Sequence, residues 1–116
     1  MTARTETLLW VAQRASAAVL AVAVTVHLGT VVYAVRGGLT ATEIITRLQG
    51  NIGWFVFYAI FVAAAAVHAP LGVRTILTET TPLRGPVLDG LAVLFGVALA
   101  VLGWRAVFAL FAYGAG

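Results

Sequence analysis

The chain has 116 residues, 62% of them hydrophobic and 9% charged, with a net charge of +3 carried by arginines alone against four carboxylates. Mean hydropathy is +1.05, which leaves too little polar surface for a soluble domain of this size. Cysteine is absent, so disulfides, thiolate zinc sites, iron–sulfur ligation and thioether-linked haem are excluded within the chain, and the dispersed charge makes no nucleic-acid footprint.

Three apolar stretches each reach the ~20 residues that an α-helix needs to cross ~30 Å of hydrocarbon. They predict an all-α membrane protein, one transmembrane unit over residues 1–116, with three helices in an up-down-up bundle. Met1–Glu6 reads as a short polar tail. Helix I covers about residues 7–35 and stops at Arg36-Gly37-Gly38, where glycines end it. It is too long for a cleavable signal peptide and shows no short apolar core followed by an A-x-A site. Thr40 followed three residues later by Glu43 reads as a capping box. It opens a short amphipathic helix over 41–48, with Ile44, Ile45 and Leu48 on one side, suited to the membrane interface. Gln49-Gly50-Asn51 breaks it.

Helix II covers about residues 53–77 and begins in an aromatic cluster, Trp54, Phe55, Phe57, Tyr58 and Phe61. Trp54 and Tyr58 suit an interfacial belt. Pro70 lies inside this helix and predicts a kink near the carbonyl of Ala66. A loop over 78–85 follows, and helix III covers about residues 87–112. Asp89 sits in its first turn, where a carboxylate favours the positive end of the helix dipole. Arg4, Arg14, Arg74 and Arg84 fall on the side of the N-terminus, and Arg36, Arg47 and Arg105 on the other. Four against three favours a cytoplasmic N-terminus.

His27 and His68 are the chain's two histidines, both within apolar helices. An imidazole at membrane depth needs a partner, and haem iron explains two of them most economically. Measured from Arg14, His27 lies ~20 Å along helix I at 1.5 Å per residue. His68 lies ~9 Å before Arg74 by the same rise. The two therefore stand at different depths, ~10 Å apart, and each is expected to ligate a different haem with a second histidine from another chain. Small residues nearby, Ser16, Ala23, Gly29 and Gly72, leave room for a porphyrin edge or serve helix packing. Haem propionates need cations near the interfaces: Arg74 on the inner side, Arg36 or Arg105 on the outer.

His68-Ala-Pro-Leu-Gly72-Val-Arg74 fits H-x-x-x-G-x-R, and Arg14-Ala15-Ser16 fits R-x-S. With three helices and these positions, the chain resembles the membrane-anchor (cytochrome b) subunits of the succinate dehydrogenase/fumarate reductase family. That resemblance implies a non-catalytic electron-transfer subunit of an oxidoreductase, passing electrons between an iron–sulfur subunit, itself fed by a flavoprotein, and membrane quinone. It implies His68 as the axial ligand of the haem b nearer the iron–sulfur subunit, and His27 as the helix I ligand of a second haem. Two haems need four histidines, so the resemblance implies a second anchor chain, similar or identical. It also implies quinone binding at Arg14 and Ser16, which otherwise read as a snorkelling cation and a packing hydroxyl. In some members an acidic residue and a tyrosine follow the helix II motif. Here Glu79 can take the acidic place and Thr80 stands where the tyrosine is expected, which implies a quinone pocket that is built differently or lies mostly on the partner, on either side of the membrane. The implied location is a bacterial cytoplasmic membrane. Two other readings are a haem-free structural anchor and a small transporter subunit with proton-relay histidines.

Overall fold

A computed structural model describes residues 2–114. Met1 of the expected tail, and the last two residues of the expected 1–116 unit, lie outside the described residues. Four helices occur among them: α1 (Ala3–Arg36), α2 (Ala41–Leu48), α3 (Ile52–Thr80) and α4 (Gly85–Phe111). At 1.5 Å per residue the three long helices span ~40–50 Å, and each carries a window apolar enough to cross a membrane. The chain is a multi-pass membrane protein.

The helix ends are set by local hydrogen bonds. Thr2 caps α1 by accepting from the amide of Thr5 at 3.2 Å, so the residues expected as a polar tail begin the helix. At the other end Leu39 N–H bonds to Ala34 O and Gly38 N–H to Val35 O, the Schellman pattern, which requires Gly38 at φ +66°. Both arms of the Thr40–Glu43 capping box are present on α2. Asn51 caps α3 through Trp54 N–H at 3.1 Å.

α3 runs unbroken through Pro70 and ends three residues later than the apolar pattern suggests. The hydroxyls of Thr78 and Thr80 turn back onto the carbonyls of Arg74 and Ile76, at 2.8 and 2.7 Å. That lets polar residues continue the helix without facing an apolar neighbour. The α3–α4 loop is correspondingly short, residues 81–84, and Arg84 donates to the carbonyls of Thr81 and Leu83.

α3 is the central helix, with α1 packed on one side and α4 on the other. Both pairs are antiparallel. Along α3–α4 the register runs Phe55 against Phe111, Val62 against Gly103, Ala66 and Pro70 against Gly96, and Arg74 against Asp89. Pro70 has no N–H, so the carbonyl of Ala66 loses its helical donor. Gly96 faces that carbonyl: a Cβ there would stand 3.1 Å from it and 3.1 Å from the Pro70 ring. At Gly103 a Cβ would lie 2.6 Å from Val62. The two glycines thus let α4 approach α3 closely, which is how helices associate where lipid is as apolar as the side chains. Among the described residues the buried side chains are few and mostly small: Ser16, Ala23, Ala64, Pro70, Leu88, Ala92 and Val107. Large apolar residues such as Val22, Leu94 and Leu102 point outward, as membrane solvent permits.

Candidate functional site

Both histidines lie along the α1–α3 seam, at two levels. At the level nearer the N-terminus, His68 Nδ1 lies 3.4 Å from Ser16 Oγ. Ser16 is only 7% exposed, and its hydroxyl donates to the carbonyl of Gln13 at 3.1 Å. A serine has one proton to give, and a carbonyl can only accept. With that proton on the Gln13 carbonyl, the Ser16 oxygen would accept from Nδ1–H of His68. That arrangement corresponds to the Nδ1–H tautomer, with the lone pair on Nε2, the form in which a neutral histidine ligates a metal. Gly72 stands one turn on, where a Cβ would make only ordinary contact, 3.6 Å from Gln13 Nε2. Gln13 Oε1 is buried without a hydrogen-bond partner.

At the other level, His27 meets Tyr58 and Phe61 edge-on, with ring centroids 6.1 and 5.8 Å away. Among the described residues neither of its ring nitrogens has a hydrogen bond. It opens on a groove of about 430 Å³ shared with Tyr33, Arg47, Trp54 and Tyr58. The two levels are eleven residues apart along α1, from Ser16 to His27, or ~16 Å at 1.5 Å per residue. The structure therefore keeps the histidines apart, each with its own surroundings.

The cations distribute differently from the sequence expectation. Arg74 Nε donates to Asp89 Oδ1 at 2.9 Å, joining α3 to α4 at the N-terminal end. Asp89 is thus an ion-pair partner as well as a first-turn carboxylate. Arg36 and Arg105 are exposed and do not line the His27 groove, whereas Arg47 does. Arg14 and Ser16 do not meet in one site. Two positions along a helix place them ~200° apart around its axis, so Ser16 turns to His68 while exposed Arg14 lies over the Trp10 ring, 5.1 Å from its centroid. A second groove, of about 650 Å³, lies between α1, α3 and α4 with Pro70, Arg74, Asp89 and Gly96 among its walls.

Among the described residues no three histidine, cysteine or carboxylate side chains cluster. Each imidazole is an isolated donor, able to supply one ligand to a metal whose other positions are filled from elsewhere.

No curated protein and no solved structure matches the chain. A family model does match it, that of the succinate dehydrogenase/fumarate reductase transmembrane subunit, over residues 1–104. The match takes in α1, α2, α3 and most of α4, together with both histidine levels, and on it the chain belongs to the family of succinate dehydrogenase/fumarate reductase transmembrane subunits.

Proposed function

We propose that this chain is the haem b-carrying anchor of a succinate:quinone oxidoreductase, passing electrons between an iron–sulfur subunit and membrane quinone. The observation that supports the reading is the Ser16–His68 contact, in which a proton on Nδ1 would leave Nε2 of His68 free to ligate a metal. The donor set suits haem. A porphyrin fills four positions on its iron and asks for two axial ligands. Isolated imidazoles at two levels supply one each to two such groups, the remaining ligands coming from a second anchor chain, similar or identical. When bound, haem b supplies one-electron carriage at a potential tuned by its surroundings.

The chain's own residues then divide the work. His68 ligates the inner group, and Ser16 fixes the ring and its tautomer from behind. His27 ligates the outer group against the edges of Tyr58 and Phe61. Arg74 would hold the inner propionates through its terminal nitrogens, since its Nε is held by Asp89. Quinone contact in this chain falls to Arg14, with Ser16 given over to His68. Four arginines against three support an N-terminus on the cytoplasmic side of a bacterial membrane, where the iron–sulfur subunit and flavoprotein would dock.

One observation favours the haem-free anchor. The Ser16 hydrogen bond by itself gives His68 a partner at membrane depth. A reduced-minus-oxidised spectrum of the complex purified through this chain separates the two readings. A sharp bis-histidine α-band is expected, and a featureless spectrum would leave the structural anchor.

A further inference from the structure

We infer that Arg47, on α2, is the cation that binds the propionates of a haem ligated through His27. The inference rests on the haem reading above and assigns it a residue that the sequence did not suggest. His27 and Arg47 line one groove, together with Tyr33, Trp54 and Tyr58. The Arg47 guanidinium lies 5.6 Å from the centroid of the Tyr33 ring, which supports it from the groove wall. Glu43, one turn back on α2, is the nearest carboxylate in sequence. Its Oε1 is engaged by the backbone N–H and hydroxyl of Thr40, at 3.4 and 3.1 Å. Among the described residues Arg47 therefore has no carboxylate partner.

α2 is also fixed in place. The capping box holds its start, and beyond its end Gly50 N–H bonds to the carbonyl of Phe111 at 2.8 Å. An unpaired guanidinium held over an apolar groove favours a ligand that is apolar in body and acidic at one edge. The planar fork of arginine pairs such a carboxylate with two parallel hydrogen bonds. A lipid phosphate at the interface offers similar anionic oxygens but no reason to involve His27.

The test uses the intact complex carrying His27→Ala, Arg47→Gln, Arg47→Lys or Arg36→Gln, with haem content and redox titration as readouts. Arg47→Gln is expected to lower the midpoint potential of the haem that His27→Ala removes, because a lost cation disfavours the added electron. Arg47→Lys should restore part of the shift, and Arg36→Gln should leave the potential unchanged. The assignment is overturned if Arg47→Gln moves neither potential nor content, including the case where it only weakens retention in anionic vesicles. It is equally overturned if Arg47→Lys and Arg47→Gln shift the potential alike, or if Arg36→Gln produces the shift. Unchanged haem content in His27→Ala would remove the ligand assignment itself, and the role of Arg47 with it, and is read from a separate variant.

Discussion

Ser16 and His68 are 52 residues apart in sequence, yet the Ser16 hydroxyl lies 3.4 Å from Nδ1 of His68 and 3.1 Å from the carbonyl oxygen of Gln13. A short R-x-S element on α1 thus acts on the imidazole of α3. The contact couples the two motifs that carried the family resemblance. On the proposed function their joint presence has a physical reason: one would supply the ligand and the other would hold its second ring nitrogen.

Ser16→Ala removes the acceptor from Nδ1–H. Loss of such an outer partner costs ~10–100-fold in metal affinity. We expect lower haem occupancy at the His68 level. Any haem retained there should have a higher midpoint potential, because the imidazole becomes a weaker donor. Ser16→Thr keeps the hydroxyl and should behave nearly as the parent. Redox titration of the purified complexes checks both.

Gly103→Ala places a methyl 2.6 Å from the stiff, β-branched Val62. The α3–α4 pair must then part, at a cost of ~1–3 kcal/mol, seen as a lower melting temperature in detergent. Gly29→Ala is the control. Nothing lies within 4 Å of its Cβ position, and alanine is the better helix former by ~1 kcal/mol, so stability should hold or rise slightly.

Asp89→Asn breaks the Arg74 pair. With the two side chains 30% and 50% exposed, the stability change should stay within ~1 kcal/mol. The electrostatic consequence should be clearer. Losing a carboxylate beside Arg74 raises the potential of the inner haem and leaves the outer one alone. A melting temperature that collapses, or equal shifts in both haems, would speak against this placement.

Local features were legible in the sequence because their causes are local. The Thr40–Glu43 box and the glycines after Arg36 mark their helix ends within a few residues. The boundaries that moved were those judged by apolarity alone. Thr2 extends α1, and Thr78 and Thr80 extend α3, by hydrogen bonds that a hydropathy reading ignores. Pairings between helices were not legible. Nothing near Asp89 announces Arg74, although each lies near the end of its helix on the same side. In the sequence Arg47 reads as a topology charge, yet Ile44, Arg47 and Leu48 are spaced i, i+3, i+4 and line one groove together. That spacing was the available signal. The staggered depths of the histidines were legible, because helix rise alone separates them, though the contacts on each widen the gap.

The central claim is that His27 and His68 serve two different haems. The most direct measurement is a potentiometric titration of reduced-minus-oxidised spectra for the complex with its native chain, with His27→Ala and with His68→Ala. Two b-type components are expected in the parent, with each substitution abolishing a different one. Loss of the same component from both variants would contradict the account, as would a parent complex with no haem signal.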